Sequence, residues 1–257
     1  MGSQSAGCCS ARTGDRFLLE DMYRTERDKS MIPIGDLNPR RHFPLATVLI
    51  IALNVVVFFY QLFLPDDALD RFVRGAGVVP YQVTSGFGVP VIGDLFTSMF
   101  LHGGWMHIIS NMLYLWIFGD NVEDRMGVLV YTAFYLVAGI GASLAQVAVN
   151  PTSTIPTIGA SGAIAGVLGA YLVMFPKTRV RTLILAFRFI RIVELPAVVV
   201  LGLWFVLQIF SGLASVTSMA TGGVAWFAHI GGFVMGILVG LFYRTQRDGQ
   251  SRVPFGW

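Results

Sequence analysis

Residues 157–175 read Thr157-Ile-Gly159-Ala-Ser161-Gly162-Ala-Ile-Ala165-Gly166-Val-Leu-Gly169-Ala-Tyr171-Leu-Val-Met-Phe175. From Gly159 onward the run carries no charge, and Pro176 stops it. The stretch before it, 150–157, is polar and holds Pro151 and Pro156, so a helix is expected to start near Ser161 and to end at Phe175. A helix that is apolar on every face belongs in the interior of a bundle or a membrane.

The rest of the chain makes the membrane the better reading. Of 257 residues, 54% are hydrophobic and 13% charged, against about 25% charged in an ordinary soluble domain. Six apolar segments approach the ~20 residues that cross a bilayer: Leu45–Leu64, Leu95–Phe118, Val128–Val149, Gly159–Phe175, Leu195–Leu213 and Val224–Tyr243. The expected fold is therefore all-α, a polytopic membrane protein built as a six-transmembrane-helix bundle over residues 45–243. Residues 1–44 read as a polar, disordered or loosely ordered tail, and 244–257 as a short basic tail. The first 40 residues lack the apolar core of a cleavable signal peptide. Cys8 and Cys9 are adjacent, which suits neither a disulfide between them nor a zinc site. The net charge of +3 is small and forms no basic stripe, which argues against a nucleic-acid partner.

Charge placement orients the segments. Arg40 and Arg41 precede the first, Lys177, Arg179, Arg181, Arg188 and Arg191 separate the fourth from the fifth, and Arg244, Arg247 and Arg252 follow the sixth. The loops at 150–158 and 211–223 are uncharged. By the positive-inside rule both tails are cytoplasmic, and the second, fourth and sixth segments start on the outer side. His107 and Asn111, Ser161, and His229 then fall in the outer halves of those three segments. Polar groups in membrane helices are rare, and three at similar depth point to one shared site. A helix from Ser161 to Phe175 is roughly 22 Å long in a core about 30 Å thick, which sets the serine some 5–10 Å below the outer surface.

The residue types suggest nucleophilic chemistry. Ser161 opens its helix, where free N–H groups and the positive dipole end favour developing negative charge. His229 is followed by Gly232, Gly236 and Gly240, a ridge that lets another backbone approach on nearly the histidine's own face. Without an acidic residue placed to orient His229, the expected pair is a Ser–His dyad. His107 and Asn111 are four apart, share a face, and can donate hydrogen bonds to an oxyanion. His102 and His107 stand five apart, a poor chelating spacing, so no metal and no other cofactor is expected.

Three stretches together, His102-Gly-Gly-Trp-Met-His107-Ile-Ile-Ser-Asn111, Gly159-Ala-Ser161-Gly162 and Ala228-His229-Ile-Gly-Gly232-Phe233, resemble the rhomboid intramembrane serine proteases. The resemblance runs over about residues 31 to 243. It implies that Ser161 is the nucleophile and His229 the general base. It further implies that His107, Asn111 and the backbone at Gly159–Ser161 bind the oxyanion, and that His102, Gly162, Gly232 and Gly236 support the site. Thr97 and Phe100 also fall where family members have similar residues. The family's cap over the site corresponds to the uncharged loop at 211–223, and its lateral gate to the fifth segment. Two positions depart from the pattern. Gly93 and Asp94 stand where many members have Trp-Arg in the first outer loop. Ala165 stands where some members stack a tyrosine on the histidine, which leaves Tyr171, Phe227 or Trp226 to hold His229.

The expected function is an intramembrane serine endopeptidase in the cell membrane. Its partners would be transmembrane protein substrates and the lipid bilayer, and its active site would open to the extracytoplasmic side. A catalytically inactive rhomboid-like protein that binds membrane clients is one rival, and the presence of both Ser161 and His229 argues against it. A small transporter is another, but no ionisable side chain continues inward along the fourth or sixth segment.

Overall fold

The computed structural model describes residues 29–86, 88–186, 189–217 and 224–250. Cys8 and Cys9, and residues 218–223 of the expected cap, lie outside the described residues. Chain order is β1 (Lys29–Asp36), α1 (Leu45–Leu62), α2 (Asp66–Ala76), α3 (Pro80–Ser85), α4 (Val89–Thr97), α5 (Trp105–Met126), α6 (Val128–Val149), α7 (Ser161–Met174), β2 (Arg179–Ala186), β3 (Phe189–Pro196), α8 (Ala197–Thr217) and α9 (Trp226–Gln250). Among the described residues, four helices are long and apolar enough to cross a membrane: α1, α6, α8 over Ala197–Ser215, and α9 over Trp226–Arg244. The other two expected spans correspond to α5 and α7. The first ends in the charged turn Asp120–Arg125, and the second has only 14 residues. The protein is a polytopic helical bundle.

Its centre is α7. Every residue from Gly162 to Tyr171 is buried, so this helix is apolar all round because it touches protein all round. Its closest neighbour is α9. A Cβ built on Gly232 would overlap the Gly162 carbonyl, and one on Gly236 would overlap the Gly166 carbonyl. On the other side, a Cβ on Gly169 would overlap the Phe233 carbonyl. The two backbones are in contact, an approach that only glycine permits. Around this pair pack Leu115, Phe118, Val122, Tyr131, Tyr135 and Phe233, all close to fully buried.

The second segment differs from its expected single span. The chain forms α4, a 3-10 turn at Ser98–Phe100, and an irregular stretch through His102-Gly103-Gly104 before α5 begins at Trp105. The helix then runs on through the acidic stretch expected to be a loop at 119–127. A bonding partner is the reason. Glu123 is 2% exposed, and its carboxyl oxygens accept from the backbone N–H of Ala46 and Thr47 at 2.8 Å each and from the Thr47 hydroxyl at 2.7 Å. Pro44 supplies no side-chain cap to α1, so Glu123 caps that helix from α5. Gly127, at φ 81°, makes the reversal from α5 to α6 in a single residue.

The end of the bundle opposite Ser161 carries a small antiparallel sheet in the order β1-β2-β3. Two expectations are corrected here. Residues 29–36 of the presumed tail form a strand on β2, and the basic stretch between the fourth and fifth segments is a hairpin, with Leu183 opposite Ile32 and Ile192. Alternation explains the hairpin: Val180 and Thr182 point inward and are fully buried, while Arg179 and Arg181 point outward. The expected uncharged linker at 211–223 is helical as far as Thr217, and α9 continues past Arg244 to Gln250.

Asp36 at the end of β1 ties this sheet to the bundle. Its Oδ2 accepts from Asn121 Nδ2 at 2.9 Å and from the Tyr171 hydroxyl. Burial, aided by nearby Asp120, outweighs those donors and pushes its pKa up from 3.8 to about 6. A raised carboxyl pKa means that the folded state favours the proton. The stabilisation is therefore complete below about pH 4 and is lost as pH rises through about 6.

Two outcomes are expected. In detergent, the unfolding midpoint falls between about pH 4 and pH 7 more in the wild type than in Asp36→Asn, whose side chain does not titrate. Gly236→Val costs at least about 1–3 kcal/mol by overpacking. Gly202→Val in α8, where a Cβ meets nothing within 4 Å, leaves the midpoint nearly unchanged.

Candidate active site

The segment before Ser161 is pinned at several points. Val78 and Thr157 exchange backbone hydrogen bonds of 3.0 and 2.8 Å, and the Gly159 N–H donates to the Ser98 carbonyl at 2.8 Å. Gly159 has φ 123°, a conformation that side chains disfavour. A Cβ there would also come within 2.7 Å of His107 Nε2. Both facts require glycine. The turn delivers Ser161 as the first residue of α7, after an N-cap residue, Ala160, whose side chain makes no capping bond. As the first helical residue, Ser161 has a backbone N–H without an intrahelical acceptor.

His229 comes from the first turn of α9, and the glycine contact between α7 and α9 brings it to the serine. Its Nε2 lies 2.8 Å from Ser161 Oγ. This is hydrogen-bond distance for a nucleophile and its base. The ring is 8% exposed. Its other nitrogen, Nδ1, lies 2.8 Å from Oε1 of Gln208 on α8. The Trp204 ring sits 5.9 Å away at 35°, and the Trp226 ring 6.2 Å away edge-on at 87°. Of the three residues expected to hold His229, Trp226 alone is recorded in ring contact with it. Phe227 lies beside Gly212. Tyr171 is at the far end of α7, hydrogen-bonded to Asp36 and packed edge-on against Phe118. Gln208 escaped the sequence reading although it is the only polar residue between Trp204 and Ser211. The rule that singled out His229, a polar group in an apolar span, applies equally to it.

The α5 residues form the third side. His107 Nδ1 accepts from the Gly103 N–H at 3.3 Å, so its ring proton is on Nε2, the nitrogen that faces Gly159. Asn111, one turn later, is 7% exposed, and among the described residues its Nδ2 has no partner. A buried donor without an acceptor costs about 1–3 kcal/mol, and it is available to bind an anion. His102 is 2% exposed, and its ring packs edge-on against His107 at 5.0 Å. Its backbone N–H and carbonyl are held by the Gln61 amide at 3.0 and 3.3 Å. That arrangement braces His107. Among the described residues no group of histidine, cysteine and carboxylate side chains could hold a metal. Thr97, at the end of α4, donates its hydroxyl to the Ala76 carbonyl at 2.7 Å and so ties α4 to α2.

Gly162, Gly232 and Gly236 lie in the α7–α9 seam, where they set the spacing between serine and histidine. A Cβ on Gly162 would also crowd Ala142 of α6 at 2.6 Å. A narrow cavity beside Ser161 is lined by Ser98, Gly139, Ala142, Ser143 and Thr157. The Ala228 N–H donates to the Gln146 side chain at 3.3 Å, which fastens the start of α9 to α6.

Residues 91–246 match the Rhomboid domain family. RHOMBOID-like protein 4 of Arabidopsis thaliana is 30% identical over 248 residues, 84% of this chain and 58% of that protein. Rhomboid protein 1, mitochondrial, of Saccharomyces cerevisiae is 31% identical over 160 residues, 60% of this chain and 43% of that protein. Rhomboid protease AarA of Providencia stuartii is 29% identical over 220 residues, 77% of this chain and 72% of that protein. The chain thus spans about three-fifths of the Arabidopsis relative's length. With the domain match covering more than half of its residues, the chain belongs to the rhomboid family.

Proposed function

We propose that this protein is an intramembrane serine endopeptidase that cuts transmembrane segments of other membrane proteins with a Ser–His dyad. The observation that carries the reading is the 2.8 Å contact between Ser161 Oγ and His229 Nε2 at the buried start of α7. The protease named among its relatives, from Providencia stuartii, supports the same class of activity.

The chemistry follows from the donors present. His229 takes the hydroxyl proton through Nε2 while Ser161 Oγ attacks the scissile carbonyl. Negative charge builds on the carbonyl oxygen. Three donors suit it: the Ser161 backbone N–H, His107 Nε2–H and the unpaired Nδ2 of Asn111. His229 then gives its proton to the leaving amine, and water hydrolyses the acyl-enzyme by the same steps in reverse. A substrate helix hides its carbonyls in i→i−4 bonds, so the scissile segment must unwind first. Helix-destabilising residues near the cut follow from that requirement. The distribution of basic residues orients both tails toward the cytoplasm and the Ser161 end toward the outer face of the cell membrane.

Purified protein in detergent is expected to cleave a model transmembrane substrate. Ser161→Ala and His229→Ala are each expected to abolish cleavage, and persistence in either would sink the dyad. Asn111→Ala lowers kcat by about 10²–10³, with KM little changed, because it removes a donor used in the transition state. Gly159→Ala is expected to inactivate by driving the turn into His107, and a fluorophosphonate that labels wild-type Ser161 then fails to label the variant.

A further inference from the structure

A general base must present a bare nitrogen to the group that it deprotonates. Neutral imidazole carries one ring proton, and the partner of one nitrogen decides which nitrogen holds it. Nε2 of His229 faces the serine, so base work requires the proton on Nδ1. The atom opposite Nδ1 is Gln208 Oε1, at 2.8 Å. An amide oxygen only accepts, so it keeps the proton on Nδ1 and leaves Nε2 free. The reverse amide orientation would aim an N–H at Nδ1 and push the ring proton toward the serine. Gln208 is 8% exposed, and among the described residues no carboxylate is bonded to His229.

Gln208 stands on a different kind of support from the pair it serves. Ser161 and His229 ride on α7 and α9, whose backbones touch. Helix α8 meets them through side chains. Phe205 stacks on Phe233 at 4.3 Å, Trp204 packs on Phe233 and His229 at 5.9 Å each, and Gly212 lies beside Trp226. Trp204 and Gln208 are four apart, so one face of α8 gives the imidazole both an aromatic wall and an acceptor. The opposite face of α8, with Val199, Leu203, Val206 and Phe210, is exposed and apolar. A shift of about 1 Å in α8 breaks a hydrogen bond of this length while leaving the glycine seam closed.

We propose that Gln208 is a positioning residue that selects the His229 tautomer and holds its ring toward Ser161, so that activity depends on α8 being docked against α9. The proposal rests on the protease reading above. It replaces the absent acid with a neutral amide, which orients the imidazole without adding a charge.

The test compares wild type, Gln208→Leu and Gln208→Glu, purified whole in one detergent, by kcat and KM on a model transmembrane substrate across pH. Gln208→Leu is expected to lower kcat by roughly 10- to 100-fold with KM little changed, a part of the roughly 10²–10⁴ that a positioned base contributes. The rate of fluorophosphonate labelling at Ser161 falls in parallel. Gln208→Glu keeps an acceptor and is expected to restore activity. Its charge favours the imidazolium, so the acid limb of kcat/KM moves to higher pH by about 1 unit or more. The other titratable side chain acting on His229, His107 of α5, is the same in all three proteins. A side chain that does not bond the imidazole would not move that limb, and a role in packing alone would spare the near-isosteric Gln208→Leu. Where Gln208→Leu fails to fold, the limb of Gln208→Glu decides. Wild-type kcat in Gln208→Leu, or an unmoved limb in Gln208→Glu, overturns the proposal alone. A wild type that neither cleaves nor labels overturns the protease reading and the proposal with it.

Discussion

The site depends on two backbones that touch. Ser161 and His229 are 68 positions apart on separate helices, and their 2.8 Å bond forms where the two backbones come into contact rather than at the usual helix spacing of about 8–10 Å. Gly162, Gly166, Gly169, Gly232 and Gly236 remove the side chains that would hold α7 and α9 at that distance. In lipid the hydrophobic effect adds little between helices, so close van der Waals packing supplies the association itself. One set of glycines therefore holds α7 to α9 and positions Ser161 against His229.

Around that seam, polar contacts hold the other groups. Glu123 caps α1, Gln61 grips the backbone at His102, and Gln146 fastens the start of α9. Each satisfies backbone groups that would otherwise be stranded in a low-dielectric interior. The consequence is a division between α5, α6, α7 and α9, tied to one another by glycine contacts and polar anchors, and α8, which packs on them through side chains such as Leu201 and Phe205 and through the Gln208 amide.

Much of this was legible from sequence, and the reason is physical. Lipid imposes long apolar runs, so the six segments stand out. It also makes any polar residue inside them conspicuous, so Ser161, His229, His107 and Asn111 could be picked out and placed on one side by counting positive loops. What stayed hidden needed three dimensions. The break at residues 101–104 falls at His102-Gly103-Gly104, a turn signal that the apolar residues on either side masked. The burial of Glu123 depends on α1 starting beside it, and the hairpin at 179–196 was read for its charges where the alternation of Val180 and Thr182 carried the signal. Gln208 had a signal too, but its partner depended on how α8 is rotated against α9.

The N-cap of α7 shows what such a site asks of its own scaffold. Serine, threonine, aspartate or asparagine at an N-cap commonly adds about 1 kcal/mol by accepting from the N–H of the second or third helical residue. Ala160 adds nothing of the kind. The helix at the centre of the molecule therefore begins less stably than it could, and its opening donors stay uncommitted. A capping side chain would set a competing acceptor beside the Ser161 N–H, the donor that the proposed reaction gives to the oxyanion. In the proposed reaction, the start of α7 as it stands would have no side-chain cap bond to break.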